Sequence, residues 1–156
     1  MYDAVSIARF VINYSNKQEY GISNLKLQKI MYFIQAYFLI TQDKPCFSDD
    51  IEAWDFGPVV PAAYHEFKQF GSGNIPYIDS YFEGNLFFVK ENKFNDSFIS
   101  KQDKESIQNV VDKFSAFSAT DLVKLTHSQD PWRKAYVPFA NNIIGNESIK
   151  EYFNEQ

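Results

Sequence analysis

The sequence predicts a mostly α-helical fold: a single compact helical domain around a buried central helix, with a short pair of β-strands. Three observations predict it. A chain of 156 residues can bury one real core but is too short for two ordinary domains. Residues 22–41 are apolar around nearly the whole circumference of a helix. Helical spacing of apolar residues also recurs along most of the remaining chain. We therefore treat residues 1–156 as one domain.

The central helix is predicted from residues 22–41. At roughly 100° per residue, one apolar stripe of this helix contains Leu27, Ile30, Met31, Ile34 and Phe38. Other apolar residues cover most of the opposite side, and a helix of that kind in a soluble protein packs on several sides. Ser23 is placed to cap the first turn, and Asp43 and Pro45 mark the end.

The other helices are predicted from helical spacing and from start signals. They cover residues 2–14, 61–70 and 147–153, and segments that start at Ser100, Ser118 and Asp130. Pro61 suits a first helical turn and Gly71 a left-handed C-terminal cap. Asp103 and Asp121 each follow a serine at the spacing of a capping box. Asp130 before Pro131 has the pattern of a cap followed by a helix-starting proline.

Strands are predicted in two places. Residues 51–56 have the alternation of a short extended segment. One short strand cannot stand alone, so it needs a partner. The best partner in the sequence is the run NLFFVK at residues 85–90. Residues 72–98 are rich in Asn, Gly and aromatic residues without a clear period, which predicts a loop with short strands.

Composition narrows the class of function. The net charge of −5 argues against a dedicated DNA- or RNA-binding protein, because that affinity depends on basic side chains that neutralise phosphates. Aromatic residues make up 18% of the chain, more than a minimal core needs, so we expect some of them on partner-binding surfaces. The one cysteine, Cys46, rules out an internal disulfide and suggests no zinc site. No metal and no cofactor are predicted.

Targeting signals are not evident. Residues 1–17 carry an acidic side chain and no long apolar core, so they do not resemble a secretory signal. The most apolar run, residues 30–40, is interrupted by Gln35 and is shorter than the ~20 residues that a membrane span needs. We expect a soluble, cytoplasmic protein that does not engage a membrane.

The familiar enzyme motifs are missing. There is no GxxxxGK[ST] loop, no GxGxxG, no HExxH and no pair of CxxC motifs. His65 lies on a predicted amphipathic helix, where we expect a structural role. For His127 two interpretations are open: it bonds the last carbonyls of its own helix, or it is a catalytic base beside Ser128 and Asp130. An enzyme is not predicted, and a hydrolase centred on His127 is kept as an alternative.

The polar residues of the central helix are its most informative positions. Gln28, Gln35 and Gln42 fall on one narrow line, and Lys29 lies among apolar residues. A buried ammonium group needs a partner. Lys29 therefore either extends its charged end to water while its stem packs, or forms an ion pair with a carboxylate elsewhere in the chain.

Three separated segments resemble one family. They are LKLQKIMYF at residues 25–33, IEAWDFGPVVPAAYHEF at residues 51–67 and LTHSQDPW at residues 125–132. Together, in order and spacing, they resemble the Panacea domain, also called the SocA-like or phage-associated GepA-like family. The similarity covers most of the chain, from the first helix to the C-terminal IKEYF, but residues 77–98 match no pattern of the family.

The resemblance implies an antitoxin of a bacterial or prophage toxin–antitoxin pair, which neutralises its cognate toxin by binding it. The toxin is then expected to be encoded by the adjacent gene. At least one member is thought to deliver its toxin to a protease, so an adaptor, or an inhibitor of a host enzyme, is the alternative. Many members carry a DNA-binding segment, for which we expect this chain to have no room.

Seven residues in the three segments are predicted to bind the partner. They are Gln28, Lys29, Tyr32, Trp54, Tyr64, His127 and Trp132. Their spacing is compatible with a shared cluster in which His127 and Lys29 supply polar groups among aromatic rings. The alternative for Trp54 and Trp132 is that each is only an anchor of the core.

Overall fold

The structure is a computed structural model that describes residues 1–156. It contains seven α-helices: α1 (Ala4–Lys17), α2 (Asn24–Gln42), α3 (Pro61–Phe67), α4 (Lys101–Phe114), α5 (Ala119–His127), α6 (Asp130–Ala135) and α7 (Asn146–Asn154). It contains five short strands: β1 (Ile51–Trp54), β2 (Gly57–Val59), β3 (Ser80–Gly84), β4 (Val89–Lys93) and β5 (Ile143–Ile144). Short 3₁₀ turns follow α3 and precede α4. The fold is mostly α, as the sequence predicts.

Helix α2 contacts most of the other elements. It packs against α1, α3, α4, α5, α7 and β2. Its apolar side chains join a core cluster of 32 buried residues, to which α1, α4, α5 and α7 also contribute. The Ser23 hydroxyl caps α2 by accepting a hydrogen bond from the Lys26 amide at 3.3 Å, and Asp43 ends it in the left-handed conformation. The caps predicted for this helix are therefore confirmed. No helix of the structure is both long and apolar enough to cross a membrane.

The predicted pairing of residues 51–56 with residues 85–90 is wrong. Strand β1 pairs with β2 on one side and with β5 on the other, both antiparallel. Strand β4 pairs only with β3, in a separate two-stranded sheet. The chain reverses at Asp55 and Phe56, with Gly57 at φ +109°, and such a short loop closes at low entropic cost. The alternation of apolar and polar residues predicts a strand, but it does not indicate which other strand pairs with it.

The helix starts follow the sequence with two differences. Ser118 and Asp121 form a complete capping box, with both hydrogen bonds at 3.0 Å. Ser100 caps α4, but the Asp103 carboxylate instead accepts bonds from Tyr2 and Gln42. Helix α6 begins at Asp130 rather than after it, and its cap residue Gln129 makes no side-chain cap bond. Asp130 is therefore a first-turn residue that favours the helix through the dipole, and its predicted role as cap is wrong.

Candidate functional site

The three segments singled out in the sequence meet on one side of α2. The Gln28 carbonyl oxygen accepts a hydrogen bond from the Val60 amide at 2.9 Å. The Tyr32 hydroxyl donates to the side-chain carbonyl of Gln129 at 2.9 Å. Gln28 and Tyr32 are both buried. The first segment thus fixes the end of β2 and the start of α6, which carry the other two segments.

Lys29 is fully buried, with 0% of its surface exposed. Its Nζ donates one hydrogen bond, to the Pro58 carbonyl at 3.0 Å, and it forms no salt bridge. Burial lowers the pKa of Lys29 from 10.5 to about 7, because desolvation disfavours the charged form. Both interpretations of Lys29 from the sequence are wrong: the amine neither reaches water nor meets a carboxylate, and its burial favours the neutral form.

His127 ends α5 beside this amine. Burial lowers the pKa of His127, a hydrogen bond with the backbone of Asp55 raises it, and the nearby charge of Lys29 lowers it again. Its Nε2 atom is buried without a hydrogen-bond partner. The Ser128 hydroxyl donates to the Leu125 carbonyl at 2.6 Å, and Asp130 lies near Arg133 and Lys134. In this conformation neither Ser128 nor Asp130 is hydrogen-bonded to the His127 ring, so the alternative of a catalytic base that uses them stays a prediction.

An aromatic stack begins at His127. The rings of His127 and Trp132 stack at 4.0 Å between centroids, and Trp132 stacks on Tyr136 at 4.5 Å. The Trp132 indole donates to the Trp54 carbonyl at 2.8 Å, and the Tyr136 hydroxyl donates to Asp55 at 2.5 Å. The stack of His127, Trp132 and Tyr136 thereby holds the β1–β2 turn in place.

The other face of this turn borders an open groove of about 500 Å³. The Trp54 ring packs edge-to-face on Tyr64 at 5.0 Å. Phe56 and Phe139 also line the groove, with 65% and 97% of their surface exposed. We call the surface formed by Trp54, Phe56, Tyr64 and Phe139 the aromatic groove. Its polar lining comes from Asp55, Lys68, Ser72 and Asn141, and from Asn24 and Gln28, which are only 2% and 1% exposed.

The structure places the seven predicted residues in two layers. Trp54, Tyr64, His127 and Trp132 form one chain of contacts and are partly exposed. Gln28, Lys29 and Tyr32 lie beneath them and are buried. In this conformation the three lower residues have no surface to offer a partner, so direct contact by them requires the fold to open.

Sequence reasoning missed the most exposed aromatic residue of the groove. Phe139 lies in the loop between α6 and β5, outside the three segments, and has a positive φ of 65°. The only feature of the sequence that could have indicated Phe139 is its position directly after Val137-Pro138, in a stretch where apolar residues have no helical spacing. Tyr136 was missed as well, although it lies four residues after Trp132 on the same helical face.

Comparison with known proteins defines the class. A family model described as "Antitoxin SocA-like, Panacea domain" matches residues 27–133. The chain therefore belongs to the SocA-like, Panacea-domain family of antitoxins. The matched range includes the polar layer of α2, the β1–β2 turn and most of the aromatic stack.

One curated relative is the Antitoxin SocA of Caulobacter vibrioides (strain NA1000 / CB15N). It is 31% identical over 134 residues, which cover 83% of this chain and 68% of the relative. No solved structure matches the chain.

Proposed function

We propose that this protein is an antitoxin that neutralises a cognate toxin by direct protein–protein binding, and that the adjacent gene encodes this toxin. The observation that carries the proposal is the similarity of most of the chain to an antitoxin, SocA. Membership of the SocA-like family supports it over residues 27–133, which include Trp54, Phe56 and Tyr64 of the groove but not Phe139. Residues 1–156 act as one domain that is sufficient for binding.

The aromatic groove is the proposed binding site. Rigid aromatic rings provide large contact area at small entropic cost and dominate interface energies. Trp54 and Tyr64 form the base of the groove, while Phe56 and Phe139 stand exposed at its walls. The toxin places an apolar side chain or short segment between these rings.

The buried residues have a supporting role in this proposal. Gln28 holds the backbone of Val60 by a hydrogen bond, and Lys29 holds the backbone of Pro58. Tyr32 holds the side chain of Gln129. These bonds determine where β2 and α6 lie, and hence the positions of the β1–β2 turn and of Trp132. His127 and Trp132 act in the same way, by holding the β1–β2 turn from behind.

Co-expression tests the proposal. The product of the adjacent gene is expected to arrest growth when expressed alone and to be tolerated when this protein is expressed with it. A neighbour that is harmless alone, or that stays lethal in the presence of this protein, overturns the proposal. The same experiment in hosts that lack individual cytosolic proteases distinguishes binding from delivery, because an adaptor loses its effect when its protease is missing.

A further inference from the structure

The hairpin formed by β3 and β4 exposes a large apolar tip. Five apolar side chains at or next to its turn are more than two-thirds exposed: Phe82 68%, Leu86 90%, Phe87 82%, Phe88 78% and Val89 68%. We call these five residues the hairpin tip. With roughly 200 Å² per phenylalanine, the three rings alone expose roughly 450 Å², which is within the range of the largest apolar patches on soluble monomers. An apolar patch of that size is often functional.

The turn that presents the tip is held in one conformation. The Asn85 side-chain carbonyl accepts hydrogen bonds from the Phe87 amide at 2.9 Å and the Phe88 amide at 3.0 Å. The backbone N–H of Asn85 donates to the backbone carbonyl of Phe88 at 2.8 Å. Gly84 has φ +136°, and a Cβ atom there would lie 1.8 Å from the Phe88 oxygen. The tip is therefore organised before any partner arrives, which lowers the entropic cost of binding.

The base of the hairpin is anchored to α1. Asn13 bonds the Ile78 backbone in both directions, at 2.9 and 2.7 Å. The Arg9 guanidinium lies 3.5 Å from the centre of the Tyr81 ring. Tyr81 is therefore on the face of the hairpin that is turned to α1. Because side chains alternate along a strand, Phe82 lies on the opposite face, and Val89 shares that face through its pairing with Gly84.

We propose that the hairpin tip is a second docking element, which inserts into an apolar cleft on the toxin. This inference rests on the proposed function. The area supports it, because the exposed rings supply about half of the ~800 Å² that one partner contributes to a standard interface. Charge argues for a protein partner: the strands carry Glu83, Lys90, Glu91 and Lys93, so the hairpin has no net positive charge to attract an anionic lipid surface or nucleic acid.

Binding of hairpin variants to the purified product of the adjacent gene tests the inference. The variant Leu86→Ser/Phe87→Ser/Phe88→Ser removes the apolar side chains from exposed positions and keeps Gly84 and Asn85. We expect its Kd to rise at least about 30-fold, the effect of losing a hot spot, with an unchanged circular dichroism spectrum. Gly84→Ala keeps every apolar side chain but distorts the turn, and we expect it to weaken binding as well. Ile40→Ser, which alters an exposed side chain on α2, is the control and is expected to bind like the wild type.

The outcomes separate this inference from the proposed function. If the wild type binds and the triple variant binds equally well, the hairpin is not a docking element but the proposed function stands. If the wild type does not bind, both fail. A dimer of the free protein in sedimentation that the triple variant abolishes would assign the tip to a second copy of the chain. Flotation of the wild type with vesicles of phosphatidylcholine and phosphatidylglycerol would assign it to a membrane, and either result overturns the inference.

Discussion

At the scale of single residues, the buried amine of Lys29 makes stability depend on pH. Its pKa is lowered to about 7 in the folded protein, against 10.5 for the free side chain. Between these values the unfolded chain binds more protons than the folded one, so stability rises with pH. The burial of His127 acts in the same direction below its ordinary pKa of 6.5, where protonation favours unfolding.

The variant Lys29→Met tests this assignment. For the wild type we expect the free energy of unfolding to rise from pH 7 to pH 9 by up to about 1.4 kcal/mol per unit. In Lys29→Met this slope is lost, and the change in stability at pH 7 is small, because removal of the buried amine's partial charge is offset by loss of its hydrogen bond to the Pro58 carbonyl. Urea unfolding at several pH values measures both. A slope that persists in Lys29→Met contradicts the assignment.

Gly57 is a second residue with a specific steric role. A Cβ atom at this position would lie 2.8 Å from Lys29 Cε and 2.8 Å from Thr126 Oγ1, and φ is +109°. We expect Gly57→Ala to cost roughly 2–5 kcal/mol, from backbone strain and overpacking together. Gly71→Ala is the matched control, because its φ is +55° with nothing within 4 Å of the added atom. It carries backbone strain alone, so equal losses in thermal unfolding of the two variants would disprove close packing at Gly57.

The sequence could indicate Lys29 but not its environment. A lysine among apolar residues on a helix predicts a special position, whereas its acceptor, Pro58, lies 29 residues away. The absence of a carboxylate depends on how β2 crosses α2, which no local pattern encodes. For the same reason, the spacing of the residues was compatible with a shared cluster but did not predict that His127 stacks on Trp132.

At the scale of elements, the glutamines of α2 hold neighbouring segments of the chain in place by hydrogen bonds. The Gln35 side-chain carbonyl accepts bonds from the amides of Cys46 and Phe47, and its Nε2 donates to the Phe47 carbonyl. Gln42 Nε2 donates to Asp103, which lies in the first turn of α4. The line of glutamines in the sequence thus marks where α2 attaches to the chain that follows it.

Replacing Gln35 tests this role. Gln35→Met fills a similar volume but leaves two amide groups and one carbonyl buried without partners. We expect a loss of at least about 3 kcal/mol in the free energy of unfolding, since three groups lose their partners and each unsatisfied group costs about 1–3 kcal/mol. Gln42→Met is the control at a partly exposed position and should lose less than about 1 kcal/mol. Similar unfolding midpoints for the two variants in urea would contradict the proposal that Gln35 holds this backbone segment by hydrogen bonds.

Element boundaries were predictable where local chemistry decides them. The caps at Ser23, Ser100 and Ser118 follow from one side chain and one nearby amide, and all three are confirmed. The pairing of β1 was not predictable, because β5 lies about 90 residues away and carries only two residues. The β3–β4 hairpin was obscured by its exposed apolar tip, which has the composition of a buried strand.

At the scale of the whole molecule, the three segments supply both the buried polar contacts around α2 and three of the four rings of the aromatic groove. Hydrogen bonds from Gln28, Lys29 and Tyr32 join the first segment to the other two, while Phe139 and the hairpin tip lie outside the three segments. The three segments could therefore indicate the buried contacts and most of the groove, whereas no motif in the sequence pointed to Phe139 or to the hairpin tip.

Variants of the aromatic groove test its role in binding. Phe56→Ser and Phe139→Ser change exposed side chains, so we expect unfolding free energies within about 0.5 kcal/mol of the wild type. Each is expected to raise the Kd for the product of the adjacent gene by at least about 30-fold, measured by calorimetry. Ile40→Ser again serves as the control. Unchanged affinity in both groove variants would show that the partner binds elsewhere.

The most direct measurement of the central claim is a titration of toxin activity with purified antitoxin. If neutralisation is direct binding, the residual activity of the toxin falls in proportion to added protein and reaches zero at a fixed molar ratio of the two chains. Complete loss of toxin activity at a small fraction of that ratio, with further turnover on prolonged incubation, would contradict the claim and identify a catalytic mechanism instead.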